Sequence, residues 1–409
     1  MKIAVVGGGS TYTPELIDGF GKFGQLAEVA LIDPAQERLA IVGGFAQRLL
    51  RDHPAKVTMT SNVDEGLDGA DVVIIQLRVG GQAARISDET FPLECDCIGQ
   101  ETTGAGGLAK ALRTVPVVLD IAERAARLAN NAWIVNFTNP VGIVTRALLD
   151  AGHKAAGLCN VAIGFERRFA AALNVSPEEV TLDHVGLNHL TWEQAVYVNG
   201  HDRLPELLAP AAELVQLPLS LLERLSSVPS YYLKYFYEHD EVLKEQRTAP
   251  SRGEKVAAIE SQLLEMYQDP ALTQKPELLG QRGGAFYSEA AVGLIESLTN
   301  GDNRVHAVNV RNNGFWDFLA DDAVIEVSCQ VNAEGAKPLR ALPIKPELKG
   351  LIANVSAYEE LAVDAAINGS WDKVYRALLA HPLIAQHEKA EQLTGKLAAA
   401  NSAYLAWAK

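Results

Sequence analysis

The sequence predicts an α/β fold: a doubly wound parallel sheet over residues 1–160, followed by an α+β domain over residues 161–409. Three observations carry this expectation. Short, wholly apolar runs alternate with helical periodicity over the first 160 residues, as strands buried on both faces require. A glycine-rich turn, Gly7-Gly8-Gly9, directly follows the first run. The alternation then gives way to longer β-type and helical stretches after Leu158.

In chain order, residues 3–6, 29–32, 57–60, 72–77, 133–137 and 155–158 read as strands, with helical patterns between several of them, notably 36–51 and 108–128. A long β-type stretch spans 180–198, and helical segments run from 205 to about 267. Further strands are expected near 305–310 and 324–331, and the chain from 346 onward is mostly helical. No repeat or long linker separates the two parts, so they are expected to pack together.

A length of 409 residues suits two domains, and 48% hydrophobic with 21% charged residues is a globular balance. The net charge of −15 argues against a nucleic-acid duplex or membrane surface as partner, because both need basic patches. It leaves room for a small anionic substrate held by a few arginines. No apolar run approaches the roughly 18 residues needed to cross a bilayer, and the N-terminus turns glycine-rich too early for a signal peptide. The expected location is the cytoplasm. Cys95, Cys97, Cys159 and Cys329 then read as buried thiols or a metal ligand rather than a disulfide framework. Cys329 falls on the apolar face of an alternating strand.

The glycine turn has a functional reading. Gly7-Gly8-Gly9-Ser10-Thr11 between a strand and a helix lets backbone amides approach a pyrophosphate, as in Rossmann dinucleotide-binding domains. Asp33 ends the second strand, where a carboxylate would accept hydrogen bonds from an adenosine ribose and repel a 2′-phosphate. NAD is therefore expected over NADP. The third glycine position of the fingerprint is Tyr12, so a purely structural turn is the competing reading.

Cys159-Asn160 follows the sixth strand, at the sheet edge where open α/β folds bind ligands. His189 lies at a break in the β-type stretch, within Gly186-Leu187-Asn188-His189. A thiolate and an imidazole would leave coordination positions open to substrate and water, as catalytic metal sites do. Spacing alone leaves each residue ambiguous, and His184 competes with His189. Asn136, Asn139 and Asn160 also crowd the strand ends, where amides can both donate to and accept from sugar hydroxyls. Asn139 could equally cap the helix that begins near Pro140.

Together these pieces resemble family 4 of the glycoside hydrolases. The shared motifs are Gly7-Gly8-Gly9-Ser10, Arg78-Val79-Gly80-Gly81, Gly99-Gln100-Glu101-Thr102-Thr103-Gly104 with Gly106-Gly107, Asn139-Pro140, Cys159-Asn160-Val161, Gly186-Leu187-Asn188-His189, Arg282-Gly283-Gly284 and Arg311-Asn312-Asn313-Gly314. They run in the family's order along nearly the whole chain.

The resemblance implies NAD-dependent chemistry, an exception to two-carboxylate glycosidase catalysis. In the family, NAD takes hydride from C3 of the sugar, a tyrosine removes the acidified C2 proton, the aglycone is eliminated, water adds and the hydride returns. A divalent metal, usually Mn2+, holds the C2 and C3 oxygens. Carried over, Cys159 and His189 match the metal ligands, and the tyrosine base aligns best on Tyr232, with Tyr231 and Tyr235 as rivals. A base biased by the metal could have a lowered pKa. Asn160 matches the 6-phospho-β-glucosidase subgroup, whereas Ala162 departs from the proline common there. Arg85, then Arg282, are candidates for the sugar phosphate, with a salt bridge as the alternative for either. Arg78, Glu101 and Asn136 are expected beside the cofactor. Relatives are usually dimers or tetramers, so a homodimer or homotetramer is expected.

Other readings remain open at this point. A plain NAD-dependent dehydrogenase shares the Rossmann start but gives Cys159-Asn160 no role. A redox-sensing nucleotide-binding module leaves the tyrosines unexplained. A family member acting on a 6-phospho-galactoside or an unphosphorylated glycoside keeps the chemistry and changes the sugar.

Overall fold

The computed structural model describes residues 1–129, 131–283 and 286–408. Six strands come first: β1 (Lys2–Val6), β2 (Glu28–Ile32), β3 (Lys56–Thr60), β4 (Val72–Ile75), β5 (Trp133–Asn136) and β6 (Ala155–Gly157). Their spatial order is β6-β5-β4-β1-β2-β3, every pair parallel. This is the doubly wound order, and it reverses between β1 and β4, where such folds bind ligands. Ile3, Ala4 and Val5 on β1 and all of β4 have no exposed surface, which explains why these runs carry no alternation. The strands expected at 72–77, 133–137 and 155–158 end one or two residues earlier than predicted. Gln76, Leu77 and Phe137 instead leave the sheet's carboxyl edge and line a cleft.

Seven further strands follow: β7 (Val180–Leu187), β8 (Leu190–Val198), β9 (His201–Asp202), β10 (Val228–Pro229), β11 (Val305–Arg311), β12 (Val324–Asn332) and β13 (Gly335–Pro338). The 180–198 stretch is thus a hairpin, broken by a two-residue turn at Asn188-His189. Among the described residues, β7 to β10 make a separate four-stranded sheet, while β11 to β13 extend the first sheet to nine strands. β11 pairs antiparallel with β6 at Asn309 and Gly157. Residue 160 therefore marks a change from parallel to antiparallel order within one sheet rather than its end.

Helices Gly104–Leu128, Val141–Asp150 and Pro346–Asn368 pack together on this sheet. One hydrophobic core takes in Ile74 and Leu148 from the first part with Trp192, Val327 and Leu348 from the second. Cys329 is fully buried, as its alternation predicts, and all four cysteines are free. Among the described residues, no helix is long and apolar enough to cross a membrane.

Candidate functional site

The glycine turn closes the gap between β1 and β4. Gly7 has φ +88°, and a Cβ there would stand 2.7 Å from the Gln76 carbonyl oxygen, so only glycine lets the two strand ends approach. The amides of Gly7 and Gly8 both donate to the Ile32 carbonyl at 2.9 Å. Asp33 then fastens the turn: its Oδ2 accepts from the Gly9 amide at 3.0 Å and its Oδ1 from the Ala35 amide at 2.9 Å. Gly7, Ser10, Tyr12 and Asp33 line one end of a cleft of about 1370 Å³. Thr11, expected on the cofactor side, turns the other way. It is fully buried, and its hydroxyl donates to Glu260 Oε1 at 3.1 Å.

Tyr12, standing where the fingerprint has its third glycine, packs edge-on against Tyr287 with centroids 5.2 Å apart. Arg282 lies over the Tyr12 ring and pairs with Glu260 at 2.9 Å. Arg282 is therefore placed at the glycine-turn end of the cleft, in the salt bridge foreseen as its alternative. Gly284 of the same motif lies outside the described residues. Glu260, which also holds Arg38 at 3.1 Å, had no signature in the sequence.

Further along, Glu101 is buried among three cations: Arg78, Lys110 at 2.6 Å and Arg85 at 3.1 Å. Burial alone would raise its pKa, but the charges of Arg78, Lys110 and Arg85 outweigh burial and hold it well below the usual carboxylate range. Gly106 and Gly107 make this possible. A Cβ on Gly106 would lie 2.4 Å from the Gln100 carbonyl, and one on Gly107 2.6 Å from the Thr102 backbone, so the 100–103 loop rests directly on the helix. Arg85 also pairs with Glu89 at 2.8 Å, so its salt-bridge alternative holds, although it still lines the cleft. Lys110 was missed. Its signal was a lysine within the otherwise uncharged first nine residues of the helix, Gly104–Leu112, all of them buried. Burial, then the Arg78 charge, push it down to about 7. The cluster carries excess positive charge suited to an anionic group.

The buried Cys159 follows β6 and immediately precedes Asn160 on the cleft wall. Burial and then Glu326 push its thiol up, while the Val161 amide, the Asn188 side chain and the Asn160 amide act in the lowering direction. Asn160 begins helix Val161–Leu173 and lines the cleft. His189 sits in the hairpin turn at φ +63°, a left-handed conformation uncommon for histidine. Its Nδ1 lies 3.0 Å from Thr102 Oγ1. Gln100 Oε1 accepts from both the Thr102 amide and, at 2.6 Å, the Thr102 hydroxyl. The hydroxyl proton is thus committed to Gln100, so Thr102 accepts from His189 Nδ1–H and the Nε2 lone pair is left for another partner. Burial lowers His189 to about 4, keeping the ring neutral. A neutral imidazole with its far nitrogen available is a metal-ready form.

Tyr232 stacks on this ring, with centroids 3.7 Å apart and planes 11° from parallel. The local cause is Ser230: its amide donates to Thr191 O at 2.9 Å and its hydroxyl to His189 O at 3.3 Å, so the tyrosine segment is tied to the hairpin. Tyr231 and Tyr235 flank Tyr232, at 4.1 and 6.4 Å between centroids. Burial pushes the Tyr232 and Tyr235 hydroxyls up, Tyr235 to about 12. The chain by itself therefore raises Tyr232, in contrast to the lowering expected of a metal-biased base.

Asn136 departs from expectation, and Asn139 loses its competing reading. Asn136 is fully buried; its amide donates to Thr145 Oγ1 at 3.2 Å and its Oδ1 accepts from the Thr138 amide at 3.0 Å. It braces the loop after β5 and does not reach the cleft. Asn139 does not cap the following helix, because Val141–Asp150 starts after Pro140. Its buried Oδ1 has no partner among the described residues, and Asn139 lines the cleft. His184 is removed as a rival to His189: it lies between Glu193 and Glu326, 2.6 and 3.1 Å away. In the Arg311 motif, Asn312 ties up the turn to Trp316 at 2.8 Å and serves a structural role. Among the described residues no group of three His, Cys, Asp or Glu could hold a metal, so a cation at Cys159 and His189 would need ligands from outside the chain.

The motif order that surrounds this cleft matches two family models, Family 4 glycosyl hydrolase over residues 2–175 and its C-terminal domain over 184–384. The chain belongs to glycosyl hydrolase family 4. Within family 4, it is 37% identical over 429 residues to a Bacillus subtilis protein named "Probable 6-phospho-beta-glucosidase", covering 99% of this chain and 97% of the relative. The 6-phospho-beta glucosidase of Thermotoga maritima, solved with NAD and glucose-6-phosphate, superposes with a TM-score of 0.94 at 35% identity, covering 99% of each chain. The same enzyme solved with manganese, NAD+ and glucose-6-phosphate gives 0.93. Malate dehydrogenase from Salinibacter ruber, at 15% identity and a TM-score of 0.52, shares the fold alone.

Proposed function

We propose that the chain hydrolyses 6-phospho-β-glucosides, binding NAD at the glycine turn and a divalent cation, Mn2+, at Cys159 and His189. The observation that carries this reading is Tyr232 stacked on His189, because Tyr232 lines the cleft that also holds the glycine turn and the cationic cluster. The full-length similarity to relatives named 6-phospho-beta-glucosidase supports the choice of sugar.

When bound, NAD supplies a reversible hydride acceptor for C3 of the sugar, and the cation a Lewis acid for its C2 and C3 oxygens. The chain's residues do the rest. Gly7, Gly8, Gly9 and Ser10 shape the pyrophosphate cradle, Asp33 faces the adenosine ribose, and Arg78 with Glu101 borders the cofactor. Arg85 holds the 6-phosphate, with Arg282, already paired with Glu260, as the second candidate, and Asn139 and Asn160 orient the sugar hydroxyls. Asn139 brings an otherwise unpartnered buried oxygen to that task. Tyr232 receives the C2 proton, with Tyr231 and Tyr235 as neighbours able to share it. Residues 1–160 then carry the cofactor, while 161–409 bring His189, the tyrosines and the surface for a homodimer or homotetramer. Because NAD and sugar phosphates are metabolites of the cytoplasm, the protein works there.

Release of p-nitrophenol from its 6-phospho-β-glucoside, measured with and without NAD and Mn2+, tests the reading. Expected is turnover that needs both, with no net NADH. Stoichiometric NADH would instead indicate a plain dehydrogenase, and preference for a 6-phospho-galactoside or unphosphorylated glycoside would change the sugar alone.

A further inference from the structure

Behind Cys159 lies a largely buried polar chain that the chemistry above does not use. Glu326 on β12 is 1% exposed. Its Oε1 accepts from His184 Nε2 at 3.1 Å, and its Oε2 from Asn188 Nδ2 at 2.8 Å and Asn309 Nδ2 at 2.7 Å. Asn188 also reaches the Cys159 sulfur, and it immediately precedes His189 in the hairpin turn. One amide therefore links a buried carboxylate to one candidate ligand and adjoins the other.

The charges around this chain do not cancel. His184 bridges Glu326 to Glu193, whose buried Oε2 has no partner among the described residues. Burial would discharge His184, but Glu193 and then Glu326 outweigh it and push it up to about 10, so it is an imidazolium. Hydrogen bonds from His184, Asn188 and Asn309 keep Glu326 ionised against its burial. Two carboxylates around one imidazolium leave a net negative charge in a region where isolated charge is costly. The field of Glu326 acts on both Cys159 and His189.

We propose that Glu326 is a positioning residue for the Cys159–His189 pair, orienting the thiol through Asn188 and balancing the charge of a divalent cation held there. The inference rests on the metal reading above and adds a supporting shell to it, of the kind that typically sets 10–100-fold in metal affinity. Sequence reasoning could not find it, because Glu326 lies far along the chain from both ligands and alternates with apolar residues as an ordinary strand position.

The test is Mn2+ affinity, read from the electron paramagnetic resonance signal of free Mn2+, on the full chain with NAD bound. Glu326→Gln keeps the shape and removes the charge, and it should weaken Mn2+ binding by roughly 10–100-fold with unchanged NAD affinity. Glu326→Asp should recover part of the loss, which a purely steric role would not give. Asn188→Ala, which leaves Glu326 with His184 and Asn309, should weaken binding by a smaller factor and decides the matter if Glu326→Gln does not fold. Affinity within twofold of wild type in the folded variant overturns the proposal, and it does so alone if Cys159→Ala abolishes binding. Wild-type protein that takes up no Mn2+ overturns the metal reading, and this inference with it.

Discussion

The ring of Tyr232 lies flat on the ring of His189, 3.7 Å from centroid to centroid, so the candidate base packs directly against a candidate metal ligand. Their contact is enforced by Ser230, which bonds the His189 carbonyl, and by the pairing of β10 with β8. Tyr232→Phe keeps the stacked ring and removes only the hydroxyl. It should reduce kcat by about 10²–10⁴-fold, the usual worth of a positioned general base, with Mn2+ and NAD affinities unchanged. Steady-state kinetics on the p-nitrophenyl substrate would read this. Little loss in Tyr232→Phe, with a large loss in Tyr231→Phe or Tyr235→Phe, would move the role to that neighbour.

Cys159→Ser replaces a soft ligand with a poor one of similar size. Metal-dependent turnover should be abolished, and NAD binding, followed by fluorescence titration, should persist because the glycine turn and Asp33 are elsewhere in the cleft. Full activity in this variant would remove Cys159 from the mechanism.

Arg85 can be tested by comparing substrates. Charge-assisted hydrogen bonds are worth about 1.5–3 kcal/mol, so Arg85→Ala should raise KM for the phosphorylated glucoside roughly tenfold to a hundredfold. The unphosphorylated analogue should show no such change. An equal effect on both substrates would mean that Arg85 acts only through its pairs with Glu89 and Glu101.

The His184 imidazolium predicts a pH dependence of stability. Its folded pKa, about 10, is raised above the ordinary 6.5. Its contribution is therefore fully present below about 6.5 and is lost as pH rises through about 10. Urea denaturation midpoints should fall over that window, and His184→Gln should flatten the fall. Because the substitution leaves Glu193 and Glu326 without their cation, it should also cost about 3–5 kcal/mol near neutral pH. A variant as stable as wild type at pH 7 would refute the charged triad.

The sequence by itself determined the parallel sheet, the glycine turn, the acid at the end of the second strand and the β character of 180–198, whose folding into a hairpin the structure supplied. Each rests on local pattern: unbroken apolar runs for strands covered on both faces, and glycine where strand ends touch Gln76. Family motifs added Cys159, His189 and the tyrosines, but spacing gave no ground for choosing among Tyr231, Tyr232 and Tyr235. Only the tertiary structure decided that His189 and Tyr232 stack, that Asn136 and Thr11 face inward, and that β11 to β13 join the first sheet. It alone brought Lys110 to Glu101 and Glu326 to Asn188. The physical reason is range. Periodicity records which face of an element is buried, whereas a buried ion pair or hydrogen-bond chain depends on elements far apart in sequence that meet only when the core closes.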